Sequence, residues 1–394
     1  MPGVLRMTVA ERRARLGVRH RLVAGARIDD PVAIADAVVA LHGTDPATVF
    51  LSAAARMVTP SVELLERALY EERRLVRTLC MRRTMFVLPV PMVPVVQAAC
   101  TDALVPGQRK RTLGMIEEAG IAGADRFLKE LEASTLAAIE EAGEATGAEL
   151  GKLVPGLRQK LVVGVGTKWE GTIGLTTRVL FLLSTEQKVV RGRPKGGWTS
   201  SQYRWSPMSS WLPPAATLPT EDDARVELCR RWLERFGPAP ITDLKWWTGL
   251  NLGQVRKAVA ALDVVEVDLD GSPGIVLADD VEPTPAPAPW IALLPALDPT
   301  TMGWQRRDWY LGDYAKALFD TNGNAGPTVW CDGRIIGGWA QRKDTGEVVF
   351  RLLEDAGAEV SAAVEAEAAR LTEWLGDVRV TPRFPTPLQR QLSA

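Results

Sequence analysis

The stretch from Glu221 to Leu277 constrains the fold most, because local signals alone spell out a helix–turn–helix followed by a hairpin. Glu221–Phe236 places apolar residues at helical spacing and stops at Gly237-Pro238. Thr242-Asp243 then caps a short helix running through Trp246-Trp247 to Gly249, and Asn251 opens another, Leu252–Leu262. Val264–Leu269 and Gly274–Leu277 flank Asp270-Gly271, a dipeptide suited to the positive dihedrals of a tight hairpin turn. This is the winged-helix order of elements.

Comparable outlines precede it. Asp30-Pro31 opens a helix carrying Ile34, Ala35, Val38 and Leu41, with Gly43 expected as its left-handed C-terminal residue. Asp45-Pro46 starts a second helix and Thr59-Pro60-Ser61 a third, before the β-rich run Leu75–Pro89. Further on, helices are expected around Gly123–Glu141, Thr146–Val154 and Thr176–Leu183, with the basic run Gln108–Arg111 interrupting helical material before them. Lys188–Trp198 and Tyr203–Trp205 then read as a wing-like hairpin. Alternating prolines from Pro283 to Pro289 make a linker. Beyond it, strands at Trp290–Leu294, Thr328–Trp339, Val348–Leu353 and Val378–Val380, with a helix at Val360–Leu375, make a small α+β region. The expected division is 1–90, 91–212, 213–282 and 283–394, in an α+β chain of helix–hairpin units in tandem.

Composition excludes more than it selects. A net charge of −1 rules out a polycation, so any nucleic-acid contact must come from local basic patches. The four cysteines are far apart and the chain has only two histidines, His20 and His42, which argues against a zinc site or disulfide framework and for a reducing cytoplasmic setting. No apolar leader core and no run of about 18 uninterrupted apolar residues is present, so no membrane span is expected. Walker, nucleophile-elbow and zinc-protease motifs are lacking, the glycines around Gly164 do not fit a dinucleotide fingerprint, and no cofactor is expected.

Two features carry chemistry. His42-Gly43-Thr44 is a short link between capped elements, which would hold an imidazole and a hydroxyl at fixed positions, with Asp45 next to them. Positive charge gathers at three places: Arg77, Arg82 and Arg83 on the first hairpin; Arg109, Lys110 and Arg111; and Arg191, Arg193, Lys195 and Arg204 on the second hairpin, interleaved with Trp198 and Trp205. Cations on hairpin tips suit phosphate contact, and aromatics between them suit stacking on bases. Asp298, Arg306, Arg307 and Asp308 read instead as turn caps and ion pairs.

Leu41–Arg56 (LHGTDPATVFLSAAAR), Leu79–Leu88 with Arg82-Arg83-Thr84, Gly237–Gly249 (GPAPITDLKWWTG), Leu293–Asp308 (LLPALDPTTMGWQRRD) and Gly323–Trp339 (GNAGPTVWCDGRIIGGW) together resemble the AlkZ-like alkylpurine DNA glycosylase family. The resemblance covers nearly the whole chain. It implies three tandem winged helices followed by a β-rich C-terminal domain that cradles double-stranded DNA, and removal of N-alkylated purines, in some members bulky or crosslinking adducts. The family's water-orienting Gln-x-Gln, or Gln-x-Asp in a sister branch, falls on His42 and Thr44 here. A neutral His42 would accept a proton from water, Thr44 would position that water, and Asp45 would stabilise developing positive charge if capping left it free. The expectation is a monomeric repair glycosylase near the nucleoid; the alternatives are a non-catalytic winged-helix DNA-binding regulator and a protein-interaction scaffold. Repair requires the His42 ring at the floor of one basic groove on which the three positive clusters converge; a ring packed away from solvent, or arginines scattered over opposite sides, would make the repair reading fail.

Overall fold

In the computed structural model, residues 4–164, 166, 170–212 and 218–394 are described. The same order of elements occurs three times. First come the helix Pro31–Ala37, the strand Leu41–His42, the helices Pro46–Ala54 and Val62–Glu66, and the hairpin Leu75–Leu79/Met85–Pro89. Next are Ala124–Ala142, Ala145–Thr146, Gly147–Leu153, Leu175–Thr185 and Val189–Pro194/Tyr203–Pro207. Last are Glu221–Phe236, the bridge of Ala239 to Ile275, Ile241–Thr248, Leu252–Ala260 and Val264–Asp268/Pro273–Leu277. Each time the short early strand pairs with the second strand of the hairpin.

Side-chain caps explain where these helices begin. Asp30, Asp45, Ser61, Thr146, Thr220 and Asn251 each accept a hydrogen bond from a backbone N–H in the first turn. Thr146/Glu149 and Asn251/Gln254 close full capping boxes.

The pieces are not independent along the sequence. One apolar core joins the first unit, the third unit and the C-terminal region, through residues such as Leu41, Phe86, Trp232, Trp304 and Trp330. The second unit has its own core around Leu128, Leu150, Leu161 and Leu180. Leu5–Arg6 pairs in parallel with Val267–Asp268, so the N-terminus crosses the expected 1–90 division and joins the third sheet. The expected division at 212/213 falls against residues 213–217, outside the described residues, as does Val165 in the glycine-rich stretch. The C-terminal region is a four-stranded antiparallel sheet, in the order 291–294, 328–331, 334–341, 348–352, backed by Ala358–Leu375.

Three local expectations are corrected. The first helix ends at Ala37 rather than at Gly43: the β-branched Val38-Val39 leave the helix, Val39 takes φ 62°, and Leu41–His42 becomes a strand against Val87 and Phe86. The basic run 108–111 does not interrupt a helix, because it lies inside Val105–Glu118, where long charged side chains are good helix formers. Val378–Val380 is not a strand; the Gln341 side chain instead bonds the Val378 carbonyl and the Val380 N–H. Separately, the helical run Val90–Glu118 is, by length and composition, long and apolar enough to cross a membrane, though charged residues interrupt it. In this fold it places Val93, Val96 and Ala99 in the core.

Two contacts lock the units together. Trp198, at the tip of the second hairpin, sits 5.2 Å from Phe50 and 5.9 Å from Trp374, ring to ring, bridging the first unit and the C-terminal helix. Trp198 is half-buried, so Trp198→Ala is expected to cost about 1–2 kcal/mol, less than a fully buried Trp. Urea denaturation would measure this, and an unchanged midpoint would deny the bridge any weight.

The second lock is a buried polar network. Arg56 and Asp298, both fully buried, form a two-pronged ion pair with bonds of 2.9 and 2.8 Å. Arg56 also donates to the Ser52 carbonyl and to Thr300 Oγ1, which lies 2.8 Å from His20 Nδ1. His20 Nε2 is 3.1 Å from the Arg235 carbonyl. First unit, third unit and C-terminal region thus meet at one buried polar network, in which Arg56 Nε alone of that guanidinium's nitrogens has no partner.

Candidate functional site

His42-Gly43-Thr44 is held from every side. Leu41–His42 pairs with Phe86–Val87, and the Gly43 N–H donates to the Met85 carbonyl at 2.7 Å. Arg77, buried, donates from Nη1 to the Gly43 carbonyl at 2.7 Å. A Cβ at position 43 would lie 3.1 Å from Arg77 Nη1 and 3.2 Å from the Met85 oxygen. Glycine is needed here for close approach, not as the left-handed helix end expected from sequence. On the far side, the Arg383 guanidinium donates to the Thr44 carbonyl at 3.4 Å.

The His42 ring is 6% exposed and packs on Phe86, 5.1 Å between centroids. The expectation of an imidazole open at the floor of a groove is therefore not met. Its Nδ1 is enclosed without a hydrogen-bond partner, an arrangement that costs about 1–3 kcal/mol and that water or substrate would relieve. Burial, and then the charge of Arg82, push the His42 pKa down to about 3, so the ring is neutral at physiological pH. Thr44 is half-buried at the edge of this site.

Asp45 is the helix cap expected from sequence, and capping does not leave it free for a reacting sugar. Its Oδ1 accepts from the Ala47 N–H at 3.1 Å, capping the Pro46–Ala54 helix, and its Oδ2 accepts from the Arg383 N–H at 3.0 Å. With both oxygens engaged and the residue buried, Asp45 ties the C-terminal segment to the site instead of facing a reacting sugar.

The basic residues divide by whether a carboxylate reaches them. Arg109 lies 3.0 Å from Glu132 and 2.5 Å from Glu186. Arg193 pairs with Glu66 and Glu71, and Arg204 with Glu144. Each of these three has a carboxylate partner within the protein, whereas Arg77 is buried and donates to the Gly43 carbonyl, so, contrary to expectation, it does not reach a phosphate. Arg191 lies over Tyr203 and Trp205, at 5.5 and 5.1 Å; burial and then the neighbouring Arg77 lower its pKa to about 10. Arg83, Lys110, Arg111 and Lys195 are exposed and enter no ion pair among the described residues. Asp298 is an ion-pair and turn residue as expected, whereas Arg306 and Arg307 form no ion pair among the described residues.

Around His42-Gly43-Thr44 the protein thus places arginines that enter no ion pair among the described residues: Arg191 and Arg383, with buried Arg77 between them holding the Gly43 carbonyl, and Arg82. Arg383 was not singled out in the sequence because it lies about 340 positions from its contacts. The arrangement suits an anionic polymer laid over a neutral base.

Burial of both histidines has a consequence for stability. His20 and His42 each have a folded pKa of about 3 against an ordinary 6.5, because burial disfavours the cation. The unfolded chain binds more protons between those values, so this stability is complete above pH 6.5 and is lost as pH falls from 6.5 toward 3. Each histidine is expected to cost about 2 kcal/mol between pH 7.5 and pH 5. Urea denaturation at those two pH values would measure the fall, and His42→Gln should remove about half of it. An equal fall in wild type and variant would contradict the burial argument.

A family model described as DNA glycosylase AlkZ-like matches residues 35–374. An interstrand DNA cross-link repair glycosylase of Streptomyces sahachiroi is 28% identical over 176 residues, which are 42% of this chain and 47% of that protein. The match therefore spans about half the length of that curated relative. The solved structure of the Streptomyces sahachiroi DNA glycosylase AlkZ superposes with a TM-score of 0.69 at 19% identity, covering 96% of this chain and 100% of that one, a likeness of fold. The ordered motifs around residues 41–56, 237–249 and 293–308 lie inside the matched span, and this chain belongs to the AlkZ-like DNA glycosylase family.

Proposed function

We propose that this protein is a monofunctional DNA glycosylase that binds double-stranded DNA and hydrolyses the N-glycosidic bond of alkylated purines of the N7-alkylguanine type. The family match over residues 35–374 carries this reading. The cross-link repair named for the 28% identical relative extends the proposed substrates to bulky and bridging adducts. The three helix–hairpin units are read as tandem winged helices gripping the duplex, in a monomer working in a reducing cytoplasm beside the nucleoid.

The chemistry asks little of the protein. An N7-alkylated purine is already cationic, so C1′–N9 breaks with its electron pair passing to the base, which leaves neutral. Water adds to C1′, and its proton passes to neutral His42; the products are the free base and an abasic sugar. Because the ring is almost enclosed, His42 meets a single water rather than DNA, with the Thr44 hydroxyl at the edge orienting that water. Gly43 and the Arg77 bond to its carbonyl keep the two residues in register.

The enclosure of His42 also favours a second reading, a non-catalytic DNA-binding protein on the same scaffold. Chromatographic detection of base released from an N7-methylguanine duplex separates the two. Release above the spontaneous rate supports the glycosylase, and tight binding without release supports the second reading.

A further inference from the structure

Trp246, half-buried on the Ile241–Thr248 helix, carries two guanidiniums on one indole. Arg82 Cζ lies 4.2 Å and Arg307 Cζ 5.1 Å from the ring centroid, and Arg307 is also 4.6 Å from the Phe319 ring. The two come from distant places, the turn of the first hairpin and the segment after Trp304. Arg307 is anchored by its Nε bond to the Trp304 carbonyl at 3.0 Å, whereas Arg82 Nε is buried without a partner. Neither enters an ion pair among the described residues, nor do exposed Arg83, Lys245 and Arg306 beside them.

The fold sustains this pair against two penalties. Burial and then the charge of Arg307 lower the pKa of Arg82 to about 10, so the cations oppose each other. Arg82 and Arg83 also hold φ of 54° and 55°, left-handed values that cost on the order of 1–3 kcal/mol per non-glycine residue. Gly249 makes room: a Cβ there would lie 3.1 Å from the Arg82 nitrogen. A strained, mutually repelling pair with free donors in a half-open aromatic cradle is suited to one anion.

The geometry points to a phosphodiester-binding site between Arg82 and Arg307 over Trp246, which takes a backbone phosphate of DNA beside the nucleotide whose sugar the His42-bound water attacks. The choice of polymer rests on the glycosylase reading. Arg82 and Arg307 are positioning residues. A phosphate seated there cancels the Arg82 charge felt at His42, a charge that would otherwise oppose both proton acceptance and the oxocarbenium-like sugar. Gripping the backbone and preparing the base are then one event.

The test is fluorescence anisotropy with a labelled undamaged duplex of about 20 base pairs, titrated from ~50 to ~200 mM KCl. Arg307→Gln and Arg82→Gln should each weaken binding several-fold and reduce the log–log salt slope by about one, while Arg307→Lys keeps the slope. Circular dichroism melting identifies any variant that fails to fold; Arg307→Gln, on an ordinary backbone, remains informative if Arg82→Gln does not. Unchanged affinity and slope in a folded Arg307→Gln protein overturns the site. So does inorganic phosphate, at matched ionic strength, stabilising the wild type against heat but not Arg307→Gln while the duplex slope stays the same; the pocket then serves free phosphate. If the slope changes but the wild type releases no base from any alkylated duplex, the site stands and the glycosylase reading falls.

Discussion

Arg56→Met is expected to lower the free energy of unfolding by about 3–5 kcal/mol, a large part of the stability of an ordinary domain. The reason is what stays behind. Asp298 is fully buried, and burial alone would raise its pKa, but the Arg56 guanidinium 2.8 Å away holds it below the ordinary carboxylate value. Without Arg56 a charge is stranded in the core, and Thr300 Oγ1 and the Ser52 carbonyl each lose a donor. Arg56→Met/Asp298→Asn removes the stranded charge and keeps an acceptor for the Thr300 N–H, so it should recover part of the loss. Urea denaturation of wild type, single and double variants measures this; a cost below about 1 kcal/mol for the single change would mean that the network does not hold the units together.

His42→Ala is expected to slow base release by about 10²-fold, the low end for a positioned general base, because a ring with a pKa of about 3 is a weak proton acceptor. The loss should fall on the chemical step and leave duplex affinity nearly intact, because the ring is enclosed and the proposed phosphate contacts belong to the surrounding arginines. Since the His42 pKa lies at about 3, release between pH 5.5 and 8.5 should show no limb from this residue. A limb near pH 6.5 that vanishes in His42→Ala would mean that the ring titrates as if solvated.

The third unit was legible because its information is local. The helix Glu221–Phe236, the Asn251 cap and the hairpin around Asp270-Gly271 each declare themselves within a few residues, and Asp270 and Gly271 take the positive φ their types permit. The candidate loop was read only in part. Its position between capped elements was visible, but the strand at Leu41–His42 exists only through pairing with Phe86 and Val87 on the first hairpin. The basic residues show the same limit. Arg193 and Arg109 are ordinary free cations in sequence until Glu66 and Glu186 arrive from elsewhere in the fold. The reverse holds for Arg307, which read from sequence as a turn-cap or ion-pair residue and instead lies on Trp246 with no ion pair among the described residues.

On the proposed mechanism, His42 and Thr44 do the water-orienting work that the resemblance assigns to Gln-x-Gln, with different side chains. Single-turnover release of base from an N7-methylguanine duplex, compared for wild type, His42→Gln/Thr44→Gln and His42→Ala, tests it most directly. The account predicts release by wild type well above the spontaneous rate, retention within about tenfold by the double glutamine variant, and a loss of about 10²-fold in His42→Ala. Equal rates in wild type and His42→Ala, with both proteins folded and bound to the duplex, would contradict it.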